Sequence, residues 1–415
     1  EIQSDLQQTK ASQRLIQGDV GSGKTLLGFL AVAAAVDSGL QGVFMAPTEL
    51  LAAQHFKNIT TLLGDRVSIV LLTGSLSASR KKAIYEQIQT GAAQIIIGTQ
   101  AVFQEKVVFA KLGVAIIDEQ QRFGVAQRTY LLQKGVTDAV HCFTLTATPI
   151  PRTLSMALFG TIQLSILKEK PQGRAPITTY LTPAQKEHLV LKSIKNCVAR
   201  GQSVYWICPL ISESEVINAS AAQQRFSILK EHPDLSDIKV GLLHGRMNAS
   251  DRHDVLQAFY NGDYHVLVST LVIEVGIDHP LATLIIIESP DRLGLSQLHQ
   301  LRGRVGRSNL ASYCLLLYDQ NISEKGMERL TALCETDDGF KLAEMDLAIR
   351  GPGEFLGARQ SGFQSLKFFS FDNNMDMIED VLIKIKSLDQ EQHRWISEFF
   401  QHNVNSDYWE HSVTQ

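Results

Sequence analysis

Residues Gly18-Asp19-Val20-Gly21-Ser22-Gly23-Lys24-Thr25 lie between an apolar run, Arg14–Gln17, and a helix-like stretch that opens at Thr25. Strand, glycine loop and helix in that order are the context in which a GxxxxGK[ST] pattern cradles a polyphosphate. The glycines let backbone N–H groups wrap the phosphates, and the helix N-terminus adds its partial positive charge. Lys24 would reach the β- and γ-phosphates, and the Thr25 hydroxyl would meet Mg²⁺. A chance glycine-rich turn would lack the flanking strand and helix. A second apolar run, Val114–Ile117, ends in Asp118 and Glu119. Asp118 at a strand tip suits a Mg²⁺ ligand, directly or through water. Glu119 suits activation of an attacking water. Alone, two acids after a strand read as a solvated loop; beside a phosphate loop they complete a nucleotide hydrolysis site.

A third cluster lies far along the chain. Gln300-Leu301-Arg302-Gly303-Arg304-Val305-Gly306-Arg307 carries three arginines with small residues between them, so that their heads could converge on a phosphate. The plain alternative is a basic surface patch. The sharper expectation is an arginine finger acting across two domains, which would couple hydrolysis to domain movement.

The elements that must hold these groups alternate. Apolar, often β-branched runs recur at Arg14–Gln17, Val43–Met45, Gln94–Gly98, Val114–Asp118 and Cys142–Thr146, with helix-like stretches such as Thr25–Val36, Leu50–Leu63 and Arg80–Thr90 between them. Gly39 and Gly91 stand where left-handed helix caps belong. Glu169–Ile177, with two prolines and a glycine, reads as a linker. The alternation restarts at Val204–Cys208, Val240–Leu243, Val266–Ser269, Thr283–Ile287 and Tyr313–Leu317. The expected architecture is α/β: two parallel-sheet domains with helices on both faces, then a small helical region. The expected boundaries are 1–168, 169–323 and 324–415. The 415 residues are 44% hydrophobic and 20% charged, enough for sizeable cores. A net charge of −4 excludes coating of nucleic acid by bulk charge but not a local basic track. No apolar run approaches a membrane span. The polar start at Glu1 is no signal peptide, and the absent Met is read as the mark of a fragment or processed chain. Five scattered cysteines without a CxxC pair read as reduced, buried thiols.

The order of motifs resembles superfamily-two helicases, and most closely the RecG family of bacterial branch-migrating helicases. The matching segments are Gln17–Thr25, Met45–His55, Gly98–Gln104, Asp118–Val125, Thr146–Leu154, Trp206–Glu215, His244–Met247, Thr270–Asp278, Gly294–Arg307 and Asp346–Gly362. Each is weak alone; in this order they are specific. Transcription-repair coupling factors share the last segment. They typically read Asp-Glu-Glu-His and Arg-Gly-Ala-Gly-Glu where this chain has Asp118-Glu119-Gln120-Gln121 and Arg350-Gly351-Pro352-Gly353-Glu354.

The resemblance implies two RecA-like domains and a motor driven by ATP and Mg²⁺. Gly18 to Thr25, including Asp19, Val20, Gly21, Ser22, Gly23 and Lys24, would bind nucleotide, joined by Gly276 and Asp278. Gln300, Arg304 and Arg307 would sense the γ-phosphate. Pro47, Thr48, Gly98, Thr99, Gly245, Arg246 and Thr270 fall in motifs that grip the DNA backbone, where hydroxyls and exposed N–H groups suit phosphate contact without base readout. Thr146 and Thr148 would link hydrolysis to DNA grip. Asp346, Arg350 and Gln360 belong to a helical hairpin and loop that turns domain closure into a step along the duplex. The implied partners are branched duplex DNA (forks and Holliday junctions) and single-stranded-DNA-binding protein. The implied state is a monomer, cytoplasmic and nucleoid-associated in a bacterium, with no membrane.

Gln121 and Gln100 depart from the family, which has His at both places. Glutamine still donates and accepts hydrogen bonds but carries no charge, so Gln121 is expected to bridge to Thr146 or Thr148. The family's N-terminal wedge and adenine-recognising glutamine segment are not visible ahead of Gln13, so the chain is expected to act as motor alone, with poor turnover and little fork preference. Three rivals remain: a coupling-factor-like translocase, a small-molecule kinase or metabolic ATPase, and a weakened DNA-binding remnant. The kinase or ATPase needs no second domain or arginine cluster, and intact Lys24, Glu119 and Arg307 argue against the remnant.

Overall fold

The structure, a computed structural model, describes residues 1–119, 123, 131–132, 134, 140–147, 162–169, 175–208, 215–271, 279–350 and 384. The chain divides into two compact units, one built on Glu1–Glu169 and the other on Lys170–Gly362.

The first unit holds β1 (Gln13–Gly18), β2 (Gln41–Met45), β3 (Ile69–Leu72), β4 (Ile95–Gly98), β5 (Leu112–Asp118), β6 (His141–Thr146) and β7 (Gln163–Leu167). The order across the sheet is β3-β4-β2-β5-β6-β1-β7, and the described pairings are parallel. Every position of β2, β4 and β5 is buried, so both faces must be covered. Val43 and Met45 pack with Ile96, Ala115, Ile117 and Phe103 on one face. Phe44 turns the other way onto Phe29 of the helix Lys24–Asp37, ring centroids 5.1 Å apart. The helices Glu49–Leu63 and Ala78–Thr90 begin on side-chain caps from Thr48 and Ser77. Gly39 and Gly91 adopt the left-handed conformation expected of them. The strands β3 and β7 were not expected. Both are sheet edges; the apolar signal of β7 is broken by Gln163 and Ser165, whereas β3, Ile69–Leu72, is a wholly apolar run too short to stand out beside the longer central strands.

An N-terminal helix, Ile2–Leu6, is tied to this sheet by Arg14 on β1. Arg14 meets both oxygens of Asp5, Nε–Oδ2 2.5 Å and Nη2–Oδ1 3.0 Å, donates to Ser165 Oγ at 2.8 Å, and touches Gln163 and Glu1. Asp5 and Arg14 are buried. Removing one member of such a pair strands the other charge, so Asp5→Ala should cost about 3–5 kcal/mol in urea unfolding. An unshifted midpoint would show the pair to be dispensable.

The second unit holds β8 (Ile177–Pro183), β9 (Ser203–Ile207), β10 (Val240–Leu243), β11 (Val266–Ser269), β12 (Ala282–Glu288) and β13 (Ser312–Tyr318), in the order β10-β11-β9-β12-β13-β8 and again parallel. Strand for strand this is the order of the first six strands of the other unit, although the two sequences show no close repeat. The segment read as a linker gives way to strand at Ile177, and β8 forms an edge ending in Pro183, where a missing N–H costs no sheet bond. A core of Val190, Ile194, Trp206, Leu229, Val268 and Ile286 joins the sheet to the helices Glu187–Ala199 and Glu215–Glu231. The helices Leu295–Arg302, Glu324–Glu335 and Gly339–Arg350 pack on one another, with Glu324–Glu335 also against β8.

Candidate functional site

The strand order places the first-unit groups. Gly18 closes β1, Asp118 closes β5 and Thr146 closes β6, and these three strands are neighbours with Gln17 beside Thr146 and Asp118 beside Leu145. The phosphate loop and both acids therefore share the carboxyl edge of one parallel sheet, where ligands of such folds bind. Gly23 caps the helix Lys24–Asp37 at φ 93°, a conformation that favours glycine. Lys24 is buried, and its Nζ donates to the carbonyls of Gly18 at 2.7 Å and Asp19 at 2.8 Å, so the loop is closed over its own lysine. Burial pushes the Lys24 ammonium below the usual lysine range, while Glu119, Asp118 and Asp19 pull it back up. A polyphosphate entering the loop would replace these two carbonyls and relieve the unfavourable burial of the charge. Glu119 is a non-glycine residue at φ 52°, a strain of about 1–3 kcal/mol that clusters at functional positions.

Among the described residues no group of three or more His, Cys, Asp or Glu could hold a metal. Thr25 and Asp118 could each offer an oxygen to a Mg²⁺ held mainly by phosphate and water. Asp118 is buried and has a partner the sequence reading missed. His55 Nε2, on the helix Glu49–Leu63, lies 3.1 Å from Asp118 Oδ2. The available signal was a histidine on the buried stripe Leu51, Ala52, His55, Ile59 of that helix.

The residues expected to grip DNA also gather at strand ends. Met45 pairs with Gly98, so Pro47 and Thr48 after β2 stand near Gly98 and Thr99 at the end of β4. Thr48 is exposed, and its hydroxyl accepts from the Leu51 N–H at 3.3 Å, which leaves its own proton to donate. A Cβ on Gly98 would come within 2.5 Å of the Leu72 carbonyl oxygen, so glycine is required there. In the second unit Leu243 pairs with Ser269, which brings Gly245 and exposed Arg246 after β10 close to Thr270 after β11. The Thr270 N–H donates to the Leu243 carbonyl at 3.3 Å.

One of the three clustered arginines, Arg302, does not join the expected convergence. Arg302 is a core residue whose Nη1 donates to the carbonyls of Leu333 at 2.7 Å and Thr336 at 2.9 Å, with Nη2 2.8 Å from His299 Nδ1. It closes the C-terminal end of the helix Glu324–Glu335 instead of facing a ligand. Gln300 and Arg304 are buried, and half-buried Arg307 donates from Nε to the Gly303 carbonyl at 3.0 Å. Burial raises the Tyr260 hydroxyl to about 12, against the opposing pull of the Arg307 and Arg304 charges. Gln121, Thr148, Gly276, Asp278 and Gln360 lie outside the described residues, as does the side chain of Arg350.

His279 shares a buried pocket with Phe259 and Tyr260 and lies 3.0 Å from Ser203 Oγ, and burial pushes it down to about 4. Its ring stays neutral in the fold while an unfolded histidine protonates near 6.5, so the unfolded state binds the extra proton between these values. Stability should fall as pH drops from about 6.5 to about 4, by about 3 kcal/mol for this group. Denaturation curves across that window should flatten in His279→Gln, and an unchanged slope would assign the loss elsewhere.

Residues 2–157 match the family model for DEAD/DEAH box helicases and residues 185–309 that for the helicase conserved C-terminal domain. The ATP-dependent DNA helicase RecG of Haemophilus influenzae is 44% identical over 394 residues, 94% of this chain and 57% of that protein. RecG of Escherichia coli K12 is 45% identical over 92% of this chain and 55% of its own length, and RecG of Aquifex aeolicus 45% over 91% and 48%. The chain belongs to the RecG helicase family. It spans about half the length of the curated relatives it matches. A RecG bound to a three-way DNA junction superposes with a TM-score of 0.73 at 38% identity, covering 91% of this chain and 49% of that one. Mss116p bound to single-stranded RNA and AMP-PNP, at 16% identity and TM-score 0.60 over 76% of this chain and 67% of that one, shares the fold. The two matched segments span most of the candidate site residues. The first contains the phosphate loop and Asp118–Glu119; the second contains Gly245, Arg246, Thr270, Gln300, Arg304 and Arg307. Asp346 and the residues after it lie beyond both.

Proposed function

We propose that this chain is an ATP-driven motor that moves along duplex DNA and remodels branched junctions. The observation that carries the reading is the nucleotide site itself. A lysine loop, a strand-tip aspartate and a strained glutamate occupy neighbouring strand ends, in a chain 44% identical to an ATP-dependent DNA helicase over nearly its whole length. Lys24 binds the β- and γ-phosphates, Thr25 and Asp118 hold Mg²⁺, and Glu119 takes the proton of the attacking water. Mg²⁺ supplies a Lewis acid that steadies charge on the phosphates.

Arg304 and Arg307 steady γ-phosphate charge, with Gln300 beside them, and Gly276 and Asp278 add nucleotide contacts. Pro47, Thr48, Gly98 and Thr99 in one unit, and Gly245, Arg246 and Thr270 in the other, grip the sugar-phosphate backbone. Thr146, Thr148 and Gln121 tie that grip to hydrolysis, and Asp346, Arg350 and Gln360 turn it into translocation. The motor domains run over 1–168 and 169–323, with the transmission element in 324–415. Branched substrates are supported by the junction-bound relative. A monomeric state, single-stranded-DNA-binding protein as partner and residence in the bacterial cytoplasm at the nucleoid come with the family reading.

Triplex displacement tests the reading. A third strand bound to duplex DNA should be stripped by this chain with ATP and Mg²⁺, and not by Lys24→Ala. Release by the two proteins at equal rates would overturn it.

A further inference from the structure

The shared topology of the two units exposes a device built twice and kept open once. In the first unit the aromatic Phe44 lies on β2 in register with Ile116 of β5, and Asp118 follows two residues on. In the second, Trp206 lies on β9 in register with Ile286 of β12, and Glu288 follows two residues on. The residue after each carboxylate, Glu119 and Ser289, has a positive φ, and these are the non-glycine residues of which that is true among those described. In each unit the helix after the second strand sends a basic side chain across the aromatic ring to the carboxylate. His55 lies 4.8 Å from the Phe44 ring and 3.1 Å from Asp118. Arg225 lies 4.9 Å over Trp206 and 2.5 Å from Glu288.

The two basic groups differ in what they leave open. The Arg225 fork also meets Glu187 at 2.5 Å, at the start of the helix that follows the unit's first strand. In the other unit that place belongs to Lys24 and the phosphate loop. Arginine, a permanent planar cation, thus spans helix start and strand tip and closes the space between them. Among the described residues the one carboxylate His55 meets is Asp118, through one ring nitrogen. Its Nδ1 is buried without a hydrogen-bond partner among the described residues, so the ring has one polar contact, made through Nε2. That single contact takes one carboxylate oxygen, Oδ2, and leaves the other to face a cation.

We propose that His55 is a positioning residue that orients Asp118 for the divalent cation of the bound nucleotide, and that Arg225 is the closed counterpart of this device in the second unit. The inference rests on the reading of Asp118 as a cation ligand, and the experiment separates the two. Mn²⁺ is titrated into the full chain with ADP, and binding is read from the loss of the free-ion electron paramagnetic resonance signal. His55→Leu should weaken Mn²⁺ by about 10- to 100-fold, as loss of an orienting partner does. His55→Gln, whose amide N–H stands in for Nε2–H, should recover most of that affinity. His55→Arg, which copies the second unit, should keep its thermal midpoint and lose Mn²⁺. Wild-type affinity in His55→Leu alongside loss in Asp118→Asn overturns the role of His55 and leaves the metal reading intact. Equal loss in His55→Leu and His55→Gln, with both folded, also overturns it. Unchanged affinity in Asp118→Asn overturns the metal reading and the inference with it.

Discussion

Glu119→Gln is expected to lower ATP turnover by about 100- to 10,000-fold, the usual contribution of a positioned general base, while nucleotide binding is retained. Glutamine keeps the size and hydrogen-bonding capacity of the side chain and loses only the ability to accept a proton. The left-handed backbone at this position is as accessible to glutamine as to glutamate, so the strand tip should keep its shape. Lys24 and Thr25, proposed to engage the phosphates, are untouched. Single-turnover hydrolysis and equilibrium binding of a fluorescent ATP analogue check the two halves separately. Wild-type turnover in this variant would remove Glu119 from the chemistry, and lost binding would make it a structural residue of the site.

The second large effect separates two arginines five residues apart in one motif. Arg302→Ala should cost about 3–5 kcal/mol of stability, because it empties a core position and strands the carbonyls of Leu333 and Thr336. Arg307→Ala should cost clearly less stability than Arg302→Ala, since Arg307 is half-buried while Arg302 sits in the core. It should instead reduce ATP turnover by about 1,000-fold or more, the range found for arginines that meet a transferring γ-phosphate. Thermal unfolding and steady-state turnover of both variants make a cross. If Arg302→Ala keeps its stability, or Arg307→Ala keeps its turnover, the division of labour within the motif is wrong.

The candidate nucleotide site could be proposed from sequence because its chemistry is local, and the structure brings its segments to neighbouring strand ends. Gly18 to Thr25 is one contiguous turn whose residue types are dictated by phosphate geometry, and Asp118–Glu119 closes a strand whose every position is buried. The two-sheet architecture followed from the same strong signal, central strands apolar on both faces. The edge strands β7 and β8 were missed because many of their positions face away from the core and carry polar residues, while β3, apolar throughout, is only four residues long. Arg302 was misread for a different reason. Residue type and spacing are alike for a buried helix-end clamp and a phosphate ligand, and only the position of the helix Glu324–Glu335 tells them apart. His55 was overlooked because its partner is 63 residues away in the chain and meets it through the order of the strands. The pairing with Arg225 and Glu288 is further still from sequence view, since the two units share topology without sharing sequence.

The most direct measurement is ATP turnover of the chain with no DNA, with plain duplex and with a three-way junction, each beside Lys24→Ala. The account predicts slow turnover that duplex or junction DNA accelerates, and none above background in the variant. ATP turnover indifferent to DNA would contradict a motor and point to a metabolic ATPase. DNA binding without any turnover would leave a binding protein that has kept only the fold.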